Sequence, residues 1–129
     1  MCNIHKKQSF GEKTIEKYLK ENNIKFYREY SFDDLVGLNN KKTKLRFDFY
    51  LPENNIVIEY QGKQHYEYIS FIHKNIKNFE NSKLRDELKR KYCRKNLLNE
   101  IEIKYNENII ETLNHIFKEE NKCLIFIMK

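Results

Sequence analysis

Asp48, Glu59 and Gln61 are the residues of this chain whose types and spacing most readily support chemistry. They sit in two short runs, Leu45 to Leu51 and Ile56 to Gln61, joined by Pro52-Glu53-Asn54-Asn55, and the pattern reads as a β-hairpin. A tight turn at Glu53-Asn54 sets Asp48 directly opposite Glu59, whereas a turn at Asn54-Asn55 sets Asp48 opposite Gln61. In both registers the three polar residues share a face, because cross-strand partners point the same way. The other face then collects Leu45, Phe47, Phe49, Leu51, Ile56, Ile58 and Tyr60. A loop one residue longer would scatter these apolar residues over both faces, so the pattern itself selects the register.

Two carboxylates opposed across a hairpin repel each other, and a cation between them removes the conflict. Oxygen ligands with a spare amide suit Mg²⁺, which keeps several waters and takes one or two protein carboxylates. Such an ion polarises a phosphate and lowers the pKa of bound water, which yields a hydrolytic nucleophile. The competing reading is a hairpin whose outer face is simply polar and solvated.

Gln61-Gly62-Lys63-Gln64-His65 follows the second strand at once, so its polar groups are expected beside the carboxylates. His65 is suited to proton transfer or to holding a phosphate, since its ordinary pKa lies near physiological pH. Glu12 has two possible roles. Ser9-x-x-Glu12 fits a helix capping box, and the same carboxylate lies on the side of the helix that carries Ile15 and Leu19, where it could hold a metal-bound water.

The elements that must position these groups follow from periodicity. A helix is expected from Ser9 to about Asn22 with Ile15, Tyr18 and Leu19 inward, then a strand from about Ile24 to Tyr30. Asp33 to Lys44 reads as a loop. The hairpin comes next, then an irregular stretch from Gly62 to Asn81. A helix follows from Ser82 to about Leu97, then a strand from Ile101 to Tyr105 and a helix from Asn108 to Lys118. The apolar tail Leu124 to Met128 fits either an edge strand or a helical end. The order describes one sheet flanked by helices, α/β or α+β, in a single domain of 129 residues.

The Ser82 helix also carries charge. Its expected buried stripe is Leu84, Leu88 and Tyr92, with Lys83, Arg90 and Arg94 opposite and Arg85 and Lys89 on the flank. Between Ser82 and Asn96 there are 7 basic and 2 acidic residues, 7 − 2 = +5, nearly all of the chain's net +6. Two readings stand side by side: an ordinary solvated helix face, and phosphate contact with a nucleic acid, which that concentration of charge favours.

Composition excludes several classes. The 9 Phe and 9 Tyr argue against disorder, and no apolar run reaches the length of a membrane span. The first residues lack the apolar core of a signal peptide, so a soluble, intracellular protein is expected. The 3 cysteines are scattered without a CxxC pair, which removes a disulfide framework and a zinc ribbon.

Arg46-Phe-Asp48-Phe-Tyr-Leu-Pro followed by Ile58-Glu59-Tyr-Gln61-Gly-Lys-Gln-His65-Tyr resembles the PD-(D/E)XK nuclease superfamily. The likeness is strongest to its small branch of very-short-patch repair endonucleases and phage-type homing endonucleases. Gly11-Glu12 in the first helix and Asp86-x-x-Lys89 in a later one also match, so the resemblance spans about residues 9 to 118. It implies an α/β, restriction-endonuclease-like domain with an αβββαβ core and a mixed central sheet. It also implies a metal-dependent DNA endonuclease that hydrolyses phosphodiester bonds. Asp48, Glu59 and the backbone carbonyl of Tyr60 would ligate Mg²⁺ or Mn²⁺, Glu12 and His65 would complete the site, and Gln64 would support it. The third motif position, Lys by name and often Asp in this branch, is Gln61 here. Gln can orient the attacking water but cannot act as a charged stabiliser or a base.

The implied partner is DNA: duplex, nicked, mismatched or branched. Cutting both strands requires two sites, which a homodimer would supply, with Leu124 to Met128 as a candidate contact. The rival function is a catalytically inactive nucleic-acid-binding module on the same fold, and a third is a structural protein with a polar hairpin face.

Overall fold

The computed structural model describes residues 8–37, 44–62 and 76–119. Four strands, β1 (Tyr27–Val36), β2 (Lys44–Leu51), β3 (Ile56–Gln61) and β4 (Asn99–Lys104), form one mixed sheet in the order β1-β2-β3-β4. The first three run antiparallel, and β4 lies parallel to β3. Among the described residues the helices are α1 (Phe10–Glu21), α2 (Ile76–Lys95) and α3 (Ile109–Asn114), the last continuing in a wider turn over His115–Glu119. The parallel β3–β4 pair is reached by way of α2, as a parallel connection requires. The chain is thus a small α/β domain.

The sheet is buried on both faces. On one, Ile15, Tyr18 and Leu19 of α1 and Leu113 and Phe117 at the C-terminal end pack on Phe49, Leu51, Ile56, Ile58 and Ile103. On the other, Leu88, Tyr92 and Cys93 of α2 pack with Leu35, Leu45, Phe47 and Val57. Each fully buried Phe, Leu or Ile contributes roughly 1.5–3 kcal/mol. The two clusters take alternate residues of β3, as a pleated strand must.

The hairpin adopts the first of the two registers: Phe49 pairs with Ile58, Tyr50 with Val57 and Leu51 with Ile56. The Asn54 N–H donates to the Leu51 carbonyl at 3.2 Å, closing a turn with Pro52 in the position that its fixed φ favours. Asn55 follows at φ 55°, a left-handed conformation that Asn tolerates.

The seven-residue apolar face, however, is divided. Phe49 and Leu51 belong to the α1 side, but Leu45 and Phe47 belong to the α2 side. The β1–β2 pairing runs from Arg28 and Phe49 to Tyr30 and Phe47, skipping Glu29 and Asp48, and Glu29 sits at φ 47°. This left-handed residue turns β1 over, and β2 turns with it at Asp48. As a result Phe47 and Tyr50 lie in one aromatic tier with Phe32, 6.0 and 4.9 Å from its ring centre.

Other boundaries differ for related reasons. β1 starts at Tyr27 and continues through Val36 rather than ending at Tyr30, because buried Leu35 anchors its second half. The expected loop after Asp33 is therefore strand as far as Val36, and Asp33 pairs with Lys44 at 2.7 Å. α2 begins at Ile76, not Ser82. Its packed arc lies between the Leu88–Tyr92 and Lys89–Cys93 rows, which leaves Leu84 on the rim and 44% exposed rather than in the buried stripe. α1 is capped by Ser9 as expected, and both α1 and α2 end in the same way. The N–H of Ile24 returns to Leu19 O at 2.9 Å and that of Leu98 to Cys93 O at 2.8 Å, across left-handed Asn23 and Leu97. No described helix is long and apolar enough to cross a membrane.

Candidate active site

The turnover of β2 at Asp48 leaves the β2–β3 ladder one rung short. The N–H groups of Asn99 and Tyr105 donate to the carbonyls of Asn55 and Gln61, so the odd-numbered carbonyls of β3 face β4 and the even-numbered ones face β2. Tyr60 is therefore the residue whose N–H and C=O would next meet β2, opposite Phe47. Phe47 has turned to the other core, and the Asp48 side chain takes its place: the Tyr60 N–H donates to Asp48 Oδ2 at 2.7 Å. The same alternation points the Tyr60 carbonyl into the opening that holds Asp48.

Glu59 stands beside this opening on the α2 side. Its Oε1 accepts from Lys89 Nζ at 2.6 Å, with only 14% of the Glu59 side chain and 15% of the Lys89 side chain exposed. The Lys89 ammonium also lies over the Phe47 ring, 5.1 Å from its centre. Burial is the main influence on the Glu59 carboxyl and outweighs the Lys89 ammonium; the charges of Asp48 and Glu100 push the same way as burial, and the pKa is raised to about 7. Asp48 and Glu59 are thus close enough to feel each other.

Lys89 was expected on the phosphate-facing flank of its helix. It is turned inward instead, because it falls one residue after Leu88 and four before Cys93, within the arc that packs on the sheet. Lys83, Arg85, Arg90 and Arg94 are exposed, as expected. Gln61 shares the β3 face of Glu59, but its amide donates to Glu102 Oε2 at 3.2 Å across the parallel pair with β4. That carboxylate belongs to the ladder partner of Glu59 and engages the amide nitrogen of Gln61. No local residue pattern announces that partner.

Glu12 performs the capping role. Its Oε1 accepts from the Ser9 N–H at 3.2 Å, and the Ser9 hydroxyl accepts from the Glu12 N–H at 3.2 Å. Its other oxygen pairs with Arg28 at 3.3 Å. Arg28 lies over Phe49, 5.5 Å from the ring centre, and sequence reasoning missed it. Glu12 also lies near enough to Tyr60 for its charge to join burial in raising the phenol pKa. Gly11 is in contact with the Tyr60 ring. His65 and Gln64 lie outside the described residues, as does the tail at Leu124 to Met128.

The donor set at the opening is oxygen only: two carboxylates and a main-chain carbonyl. That fits a hard cation such as Mg²⁺, which keeps several waters and needs one or two protein carboxylates. Among the described residues no group of three or more His, Cys, Asp or Glu side chains forms a fuller cage.

No family model matches the chain, and no solved structure matches it significantly. It is 31% identical over 120 residues to "Uncharacterized protein 307L" of Invertebrate iridescent virus 6, an alignment covering 82% of this chain and 61% of the relative. It is 41% identical over 61 residues to protein 033L of Invertebrate iridescent virus 3, covering 47% of this chain and 31% of that protein. Protein 094L of Frog virus 3 is 40% identical over 68 residues, covering 52% and 44%. The chain therefore spans about three fifths of the first relative and less than half of the other two.

Proposed function

We propose that this chain is a restriction-endonuclease-like domain of the PD-(D/E)XK type that hydrolyses phosphodiester bonds in DNA with Mg²⁺ or Mn²⁺. The observation that carries the reading is the opening in the β2–β3 ladder, where Asp48 holds the Tyr60 N–H beside a largely buried Glu59. A hairpin that needed only a solvated polar surface has no use for a carboxylate that replaces a ladder partner beside a second, largely buried one.

In this function Asp48, Glu59 and the Tyr60 carbonyl hold the ion, which when bound supplies a nucleophilic water and neutralises phosphate charge. The Tyr60 N–H fixes the Asp48 carboxylate so that little ordering is left to the moment of reaction. Gln61 retains an amide oxygen that can accept a hydrogen bond from water. Arg85, Arg90, Arg94 and Lys83 on the exposed side of α2 hold the DNA backbone. Glu12 acts one step removed, by capping the helix that seats Gly11 against Tyr60. A second reading, a nucleic-acid-binding module without catalysis, is favoured by the Gln61–Glu102 hydrogen bond, which engages the amide of the third motif position.

The test is cleavage of supercoiled plasmid and branched DNA in Mg²⁺, Mn²⁺ or EDTA, with wild type and Asp48→Ala side by side and unfolding curves for both. Ion-dependent cutting that is lost in a folded Asp48→Ala protein is the expected result. Salt-sensitive DNA retention by both proteins with no cutting by either would establish the binding module instead.

A further inference from the structure

We infer that Lys89 and a divalent cation compete for the Glu59 carboxylate, so that entry of the ion turns the lysine ammonium out of the core to serve as an additional contact for anionic phosphate. The inference rests on the proposed metal site at Asp48 and Glu59.

Three observations carry it. The ammonium already occupies a cation position on Glu59, at 2.6 Å, with both side chains largely buried. A lysine ammonium is a compact point charge, and it cannot share a carboxylate oxygen with a divalent ion at close range without strong like-charge repulsion. The ammonium also lies over the Phe47 ring, 5.1 Å from its centre, a weaker hold than the ion pair, and the flexible four-carbon stem lets the charge swing outward. Lys89 also belongs to the helix whose other basic residues, Arg85, Arg90 and Arg94, are exposed, so the displaced charge moves toward an existing cationic surface. Ion binding and phosphate binding then favour each other, because one ion both fills the site and frees a cation.

Three measurements test this on the chain as it stands. The first is Mg²⁺ affinity by titration calorimetry at pH 8.5, where protons compete little for the carboxylate, for wild type, Lys89→Met and Lys89→Arg. Lys89→Met is expected to bind Mg²⁺ about fivefold tighter or more, while Lys89→Arg, which keeps the competing charge, stays near wild type. The second needs no variant: acetylation of lysines in the wild-type protein, read peptide by peptide, with and without Mg²⁺. Lys89 is expected to become markedly more reactive when the ion is present. In Ca²⁺, with duplex length checked after each titration, the salt dependence of DNA binding should steepen by about one phosphate contact in wild type and not in Lys89→Met.

If wild type binds Mg²⁺ but Lys89→Met binds no tighter and Lys89 labelling is unchanged, the competition is refuted while the metal site stands. If neither protein binds Mg²⁺, the metal site itself fails and the exchange falls with it. Should Lys89→Met not fold, the labelling experiment decides alone.

Discussion

The ring of Tyr60 fills the space that a side chain at position 11 would occupy, so Gly11 and Tyr60 seat the first turn of α1 directly on the strand that carries the site. Gly11→Ala is expected to destabilise the domain by about 1–3 kcal/mol through overpacking. Tyr60→Ala removes the obstacle, so the double variant should cost less than the two single losses together. Chemical unfolding of the four proteins checks this, and strict additivity would show that the two residues do not meet.

Burial gives Glu59 an unusual pH dependence. Its carboxyl is raised from 4.5 to about 7 in the folded chain, so the folded state holds the proton more tightly than the unfolded state does. The stability this confers is complete below about pH 4.5 and is lost as pH rises through about 7. In EDTA, the stability of wild type relative to Glu59→Gln should fall across that window by a few kcal/mol at most, because a tenfold change in proton affinity is worth about 1.4 kcal/mol. A flat difference curve would place the carboxyl near its ordinary value.

Helix capping should separate Ser9 from Glu12. Ser9→Ala is expected to cost about 1 kcal/mol, the usual loss for a cap. Glu12→Ala should cost more, on the order of 2–3 kcal/mol, because it also strands Arg28, whose Nε is already buried without a hydrogen-bond partner. Equal losses would mean that the Arg28 pair adds nothing.

At the end of α2, Leu97 is left-handed at φ 57° and 84% exposed, so its side chain adds strain without burial. Leu97→Gly should therefore raise stability by about 1 kcal/mol, measured as a higher unfolding midpoint. No gain would mean that the Leu side chain has found compensating contacts.

Much of this architecture was legible from residue types. Alternation in 45–51 and 56–61 narrowed the hairpin to two registers, and Ser9 with Glu12 announced the cap, because both signals are local. The inversion at Asp48 was hidden. It depends on a left-handed Glu29, a residue with none of the compositional cues of Gly or Asn, acting on a neighbouring strand. Lys89 was misplaced for a different reason. Charge suggested an outward face, whereas the burial of Leu88, Tyr92 and Cys93 fixed the helix phase and carried the lysine inward with them. Gln61 could not be paired with Glu102 until β4 was known to lie parallel to β3.

Cys93 closes the α2 side of the core at 2% exposure, and burial raises its thiol pKa to about 12. While α2 is seated, that sulfur is neither reachable nor ionised, and so it is inert to alkylating reagents. Its alkylation is therefore an internal clock. The rate at which the peptide containing Cys93 gains mass reports how often the helix lifts from the sheet, and with it how often Lys89 and Glu59 part.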